Sequence, residues 1–500
     1  MRKYVNNKVN INRFADSVRR SLAMVNGESY ETLEGKGSKI GIIELYHANF
    51  DHNYVTFFEK GINLQESESR EKREGPEHHS TTVSLIVGSK HGVDKTSNVY
   101  LSTVSTDGEW NKYLEKMVKE DEVKIINHSY TFGQIKYTEQ AYFLDFLARK
   151  YGVIHVIAAG NESKKPGKHN HIGDIQLSLN SVVVAASSED ATKENIRSSG
   201  VASYSNYKLL NEYKDFAKPL VTAPSTFYEI AYNKNEIGTG TSYAAPFVAG
   251  IISNLLKIKP TIANSEHRVP IIKSVLSASA IRPKVRNTYY KNSGYERKFG
   301  AGTVDFEGMK QAANNYKIVS VSPSSQRDFV LSSDSITLEA GQEIQFAASW
   351  MFNAGLLKTK ESRPKYTPKN NWWNSFLNFF SWSRKQAEHE AELARVEREG
   401  KIWDATHNNE WQLNQQTAKE LQYNRWFSHY NLRLERLNDY GRWELVVNLR
   451  VQNSNDKLFS YKTANRGIYR YRVYKNSVDK STNSVNDLIA ATHVVRDENN

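Results

Sequence analysis

Three short stretches of this 500-residue chain carry side chains whose types and spacing suit nucleophilic chemistry. In GTGTSYAAPFVAG (238–250) a Gly-rich turn delivers Ser242 to the start of an apolar, Ala-rich helix. A helix N-terminus presents unpaired N–H groups and the positive end of the dipole, so an oxyanion formed beside Ser242 would be stabilised there. Pro246 is read as part of the first turn, where the N–H groups have no helical partner. Taken alone, the stretch reads more readily as a serine N-cap on a core helix than as a catalytic turn. A serine hydroxyl is a weak nucleophile at neutral pH and needs a base. In EHHSTTVSLIVGS, His79 directly precedes a small, apolar, helix-like run ending in Gly88, which sets an imidazole at the mouth of a sheet. An exposed polar turn is the alternative, and it suits His78 better than His79.

The elements that must position these groups are visible in the hydropathy pattern. KIGIIEL (39–45), VKIINHS (123–129), YGVIHVIAAG (151–160) and NSVVVAAS (180–187) are nearly continuous apolar runs, the signature of strands buried on both faces. Between them TTVSLIVGS (81–89), NKYLEKMVKE (111–120), TEQAYFLDFLARK (138–150) and SYAAPFVAGIISNLLKI (242–258) have helical spacing. The pattern predicts a doubly wound α/β domain over 38–315 with a mostly parallel sheet, its functional residues at strand ends and helix starts. Residues 1–37 form an N-terminal extension in which VNINRFADSVRRSLAMV is long enough for a surface helix.

From about Tyr316 the pattern alternates instead, in SITLEAGQEIQFAASW (335–350), HYNLRLERL (429–437), GRWELVVNLRVQ (441–452) and RGIYRYRVYK (466–475). Alternation predicts half-buried antiparallel strands and an antiparallel β-sandwich over 316–500. An insertion at about 353–424 interrupts it, with the aromatic cluster NWWNSFLNFFSW (371–382) and a charged helix SRKQAEHEAELARVEREG (383–400) ended by Gly400. The cluster is expected to pack on its own domain, with peripheral membrane contact through 371–382 as the alternative.

Composition narrows the function classes. Lys and Arg number 67 against 55 Asp and Glu, a net charge of +12, but the basic residues are interspersed with acids, so no nucleic-acid partner is expected. Cysteine is absent, which removes disulfides, thiolate nucleophiles, Cys-ligated zinc and iron–sulfur clusters. No run approaches the length of a transmembrane helix and no export signal opens the chain. A cytoplasmic location is therefore favoured, and a secreted or surface-attached one if the N-terminus is processed.

The His and Ser stretches together resemble the corresponding blocks of the subtilisin-like serine proteases, the subtilases. The family block Gly-Thr-Ser-Met-Ala-Ala-Pro-His-Val-Ala-Gly is matched from Gly240 to Gly250 except at Tyr243 and Phe247, and His-Gly-Thr-His-Val-Ala is matched more loosely from His79 to Ser84. IAAGNES resembles the family's Ala-Ala-Gly-Asn-Glu segment and puts Asn161 at the side-chain oxyanion-donor position. IINHSY (125–130), HGVDKTSNVYL (91–101), YSNY (204–207), LVTAPS (220–225) and FGAGTVD (299–305) are weaker landmarks in family order. The resemblance covers about 20–310 and implies a subtilisin-like fold and a serine endopeptidase acting through an acyl-enzyme on Ser242. It implies His79 as base and then acid, and an extended peptide substrate held against Asn127, His128, Ser129 and Tyr130, the counterpart of the family's edge strand. Glu162 is a candidate for the first specificity pocket.

Two departures leave alternatives open. The strand that ends in the family's catalytic Asp here ends in Glu44, with Asp51 seven residues on as the rival carboxylate and a degraded, inactive site as a third reading. The second is at the front, where only about 38 residues precede the first strand, so the chain is expected either to fold without the family's prodomain or to begin after its removal. The family's calcium-binding loops are not identifiable, so no metal and no cofactor is expected. In the C-terminal region Gly467, Tyr469, Tyr471 and Val473 resemble the closing hairpin of jelly-roll domains that follow many bacterial protease domains. A binding protein on an inactive subtilase scaffold is the main rival to an enzyme, and a surface adhesin or processing partner in which proteolysis is incidental is the second.

Overall fold

The computed structural model describes residues 2–27, 38–48, 58–64, 77–103, 107–162, 170–230, 236–284, 292–325, 329–354, 390–399, 428–450, 453–476 and 485–497. Through the first 315 residues run α1 (Arg2–Met24), β1 (Lys39–Glu44), β2 (Lys60–Asn63), α2 (Glu77–Gly88), β3 (Asn98–Thr103), α3 (Asp107–Lys119), β4 (Ile125–His128), α4 (Glu139–Tyr151), β5 (Ile154–Ala158), β6 (Val182–Ala186) and β7 (Val221–Ala223). The hairpin β8 (Thr226–Glu229) and β9 (Glu236–Thr239) follows, then α5 (Thr241–Ile258), α6 (Pro260–Ala263), α7 (Arg268–Ser279) and α8 (Phe306–Asn315).

Strands β1 to β7 form one sheet in the order β2-β3-β1-β4-β5-β6-β7, parallel at every pairing. Their apolar runs reflect double coverage: β4, β5 and β6 are buried at every residue. β1 lies between β3 and β4, so the chain's winding direction reverses there, and the crevice at the carboxyl ends of β1 and β4 is the topological switch point. Helix α5 is buried along nearly its whole length and packs on α2 and under β4 to β6.

Helix α1 is more than a surface helix. Phe14, Val18 and Leu22, at helical spacing, join the main core, and Ser17 Oγ accepts from the Tyr228 amide on β8 at 3.2 Å.

Beyond α8 come β10 (Lys317–Val321), β11 (Leu331–Ser332), β12 (Ile336–Leu338), β13 (Glu343–Trp350), β14 (Tyr430–Leu437), β15 (Trp443–Leu449), β16 (Asp456–Lys462), β17 (Gly467–Lys475) and β18 (Asp487–Arg496). They form two antiparallel sheets, β10-β18-β13-β16 and β11-β17-β14-β15 with β12 also on β17. An aromatic core fills the sandwich, with Phe346 stacked on Tyr471 at 4.6 Å and edge-on to Phe459 at 4.3 Å. Tyr469, Tyr471 and Val473 point inward as their alternation predicts, but β17 does not close the domain. The strand β18 follows, and its run DLIAATHVV escapes the alternation rule because both faces of β18 are covered, one by the aromatic core of the sandwich and the other by α7 and α8.

Met1–Asn353 together with Gln422–Asn500 form one compact unit, and Ala354–Leu421 a second. In the second unit residues 390–399 are helical, within the stretch expected to be a charged helix, whereas 371–382 and Gly400 lie outside the described residues. No helix among the described residues is long and apolar enough to cross a membrane.

Candidate active site

Glu44 is the last residue of β1 and is 1% exposed. Its Oε2 lies 3.2 Å from His79 Nδ1 and also accepts from the Leu45 amide at 3.2 Å. A carboxylate only accepts, so Nδ1 carries the imidazole proton and Nε2 is left as the basic nitrogen. His79 sits in the first turn of α2, where the small residues Ser80, Thr81 and Thr82 behind it are buried and let the helix come close to its neighbours. Asp51, the rival carboxylate, lies outside the described residues.

Ser242 is the second residue of α5 and is partly exposed in an otherwise buried helix. Its hydroxyl is 3.4 Å from the Ser129 carbonyl oxygen. Pro246 does not lie in the first turn; it is the sixth helical residue, where a normal amide would donate to the Ser242 carbonyl. The Ser129 hydroxyl donates to that carbonyl instead at 2.9 Å, so the proline frees the Ser242 carbonyl for a tie to the end of β4.

Asn161 follows β5, and its Oδ1 accepts from the Thr241 amide at 2.9 Å and from the Thr241 hydroxyl at 2.8 Å. That orientation turns the NH2 group away from Thr241. A Cβ at position 240 would stand 3.4 Å from Asn161 Nδ2 and 3.7 Å from the Ser242 amide nitrogen, so the two donors approach a common point that Gly240 leaves open. The turn carrying Asn161 is clamped by Asn206, a residue whose part sequence reasoning missed although YSNY marked its position. Asn206 Oδ1 accepts from the Glu162 backbone N–H at 2.9 Å, and the Asn206 backbone N–H donates to the Gly160 carbonyl at 2.9 Å. Gly160 has φ +100°, and a Cβ there would stand 2.5 Å from Asn206 Nδ2, so the turn requires glycine. Glu162 is partly exposed.

The substrate ledge needs a correction. β4 is interior, not an edge: Asn127 pairs with Ile42 and Val156, and His128 with Ile43 and Ile157. Their backbone is engaged within the sheet and both side chains are fully buried, so neither can pair with a peptide. Only from Ser129 onward does the chain leave the sheet. Tyr130 is also largely buried, its hydroxyl accepting from Trp110 Nε1 at 2.5 Å and lying 3.1 Å from His128 Nδ1. His128 Nε2 in turn lies 3.0 Å from His155 Nδ1. Burial pushes both histidines down, His155 to about 3, so this pair is neutral and stays so through the physiological range.

Among the described residues no group of three His, Asp or Glu side chains is placed to hold a metal ion. The buried carboxylates nearest the serine are engaged with protein groups: Glu44 with His79, and Glu229 with the Tyr243 hydroxyl.

The subtilase family model matches residues 35–302. No curated protein sequence matches the chain. Among solved structures, the epidermin leader peptide processing serine protease from Staphylococcus aureus is similar at 18% identity and TM-score 0.43, over 60% of this chain and 82% of that one. The patellamide maturation protease PatA is similar at 17% identity and TM-score 0.42, over 56% of this chain and 99% of its own. The S41 psychrophilic protease is similar at 18% and 0.41, over 57% and 97%. With its family match extending over more than half its length, this chain belongs to the subtilase family of peptidases.

Proposed function

We propose that the protein is an active serine endopeptidase. The observation that carries the reading is the meeting of Glu44 and His79 at the carboxyl end of β1, with Ser242 entering the same crevice from α5. Ser242 Oγ attacks the scissile carbonyl while His79 Nε2 takes its proton. Asn161 Nδ2 and the Ser242 amide hold the oxyanion as it forms. His79 then gives the proton to the leaving amine, and water, activated by the same nitrogen, hydrolyses the acyl-enzyme. Glu44 fixes the tautomer and stabilises the imidazolium. The substrate lies extended against the chain from Ser129 onward, where backbone bonds supply affinity with little sequence preference. Glu162 borders the first specificity pocket and favours basic side chains there.

A fluorophosphonate probe tests this directly, because labelling needs both an activated serine and an oxyanion hole. Wild type should label at Ser242 and cleave a denatured protein into fragments seen by mass spectrometry. Ser242→Ala should lose the label and about 10⁶-fold in turnover, the scale set by subtilisin itself. An unlabelled wild type would return the protein to an inactive scaffold that binds and does not cut.

A further inference from the structure

The hold of Glu44 on the imidazole runs through a single carboxylate oxygen. Glutamate has one more rotatable bond than the aspartate of the resembled block, and its Oε2 is shared between His79 Nδ1 and the Leu45 amide, both at 3.2 Å. Its Oε1 is buried without a hydrogen-bond partner among the described residues. A second restraint on His79 comes from the opposite helix. The ring of Tyr243 stacks on the imidazole with centroids 5.8 Å apart and planes inclined by 28°.

Tyr243 is itself locked. It is 5% exposed and stands edge-on to Phe227 at 6.4 Å. Its hydroxyl donates to Glu229, a buried carboxylate at the end of β8. Burial, and then the charge of Glu229, push the Tyr243 hydroxyl well above its ordinary range, so it remains a donor. The strand leading to the nucleophile makes room for the pair: a Cβ at Gly238 on β9 would overlap the Glu229 carboxylate.

We propose that Tyr243 is a positioning residue for His79, its ring backing the imidazole and Glu229 fixing the ring through the hydroxyl. Two of the departures from the family blocks then compensate: Glu44 lengthens one hold on His79, and a rigid aromatic plane where the family block has methionine supplies another. The inference deepens the proteolytic reading and rests on it.

The test uses the full chain with ring-¹³C-labelled histidine, the His79 resonance being assigned through His79→Asn. The Tyr243 ring, its centroid 5.8 Å from that of the imidazole, contributes a ring-current shift to the His79 ring protons. Tyr243→Leu should remove that shift, moving the resonances, and lower kcat about tenfold or more with KM within about twofold, as expected for lost orientation. Tyr243→Phe keeps the ring but removes its hydroxyl anchor, so it should broaden the His79 resonance as an unanchored ring does and lower kcat by less than Tyr243→Leu. If Tyr243→Leu loses the dispersion of the other histidine resonances and so fails to fold, Glu229→Leu replaces it: the unanchored ring should broaden the His79 signal and lower kcat. A His79 resonance unmoved by Tyr243→Leu, or moved with kcat unchanged, overturns the inference while leaving a fluorophosphonate-reactive wild type as an enzyme. A wild type that does not label overturns the function, and the positioning role with it.

Discussion

One methylene separates Glu44 from the aspartate of the resembled block, and the structure shows how the strand accommodates it: β1 stops with Glu44 Oε2 at 3.2 Å from His79 Nδ1. An aspartate on the same backbone would fall short by about one carbon–carbon bond, roughly 1.5 Å. Glu44→Asp should therefore lower kcat, and Glu44→Gln should lower it by about 10⁴, since an amide cannot stabilise the imidazolium. Steady-state kinetics on a peptide substrate check both, with Asp51→Asn, expected near wild type, alongside. A gain from Glu44→Asp would mean that the strand is set for the shorter side chain, and loss of activity in Asp51→Asn alone would move the carboxylate to residue 51. Glu44, His79 and Ser242 were legible because each stands at a chemically marked boundary, a strand end or a helix start. Glu229 was not, because TFYE is an ordinary strand and its meeting with Tyr243 depends on how the β8–β9 hairpin folds back over α5.

At the scale of elements, the placement of Ser242 relative to His79 depends on how closely α2 and α5 approach. Gly250 permits that approach, since a Cβ there would stand 2.6 Å from Val93 Cβ and 3.1 Å from the Val87 carbonyl oxygen. Gly250→Ala should destabilise the protein by about 1–3 kcal/mol through overpacking. It should lower kcat by more than the lost folded fraction explains, because displacing α5 displaces Ser242 from His79. Urea unfolding and active-site titration separate the two effects. Strands β4 and β5 carry a different liability in the His128–His155 pair. Native His155 titrates at about 3 and an unfolded histidine near 6.5, so between those values the unfolded chain binds the extra proton and stability rises with pH. Acidification from pH 6.5 to 5, above most carboxylate titrations, should weaken the fold for this residue with a slope that rises from about 0.7 toward about 1.4 kcal/mol per pH unit as the unfolded histidine protonates. The slope of unfolding free energy against pH should be shallower in His155→Asn. These histidines sit in apolar runs that announced a buried strand, and the strand was read correctly. What the pattern could not convey was that β4 is interior, because pairing partners come from distant parts of the chain.

The two parts of the main unit share core at the scale of the whole molecule. Every residue of α7 is buried, Lys273 and three serines included, so the helix has no face for solvent. It packs against β13 and β18 of the sandwich and against α8 of the α/β part. Gln345 on β13 donates to the Ser277 and Ala280 carbonyls at 2.9 and 3.0 Å. Both architectures were readable from their hydropathy periods, but their docking was not, since RVPIIKSVLSAS carries enough polar residues to pass for a half-exposed helix. The most exacting contact is the ion pair of Lys273 on α7 with Asp456 on β16, at 2.9 Å with both side chains at most 2% exposed. Lys273 also donates to the Leu179 carbonyl, and Asp456 accepts from the Ser349 hydroxyl at 2.7 Å. Lys273→Met leaves a carboxylate buried without its counter-charge and should cost about 3–5 kcal/mol. Adding Asp456→Asn removes the charge, keeps an acceptor for Ser349, and should restore much of the loss. Because the pair joins the peptidase sheet's helices to the sandwich, enzymatic activity and near-UV circular dichroism should disappear at one urea midpoint in wild type and at one lower midpoint in Lys273→Met. Two separate midpoints in either protein would show that the sandwich unfolds independently of the site.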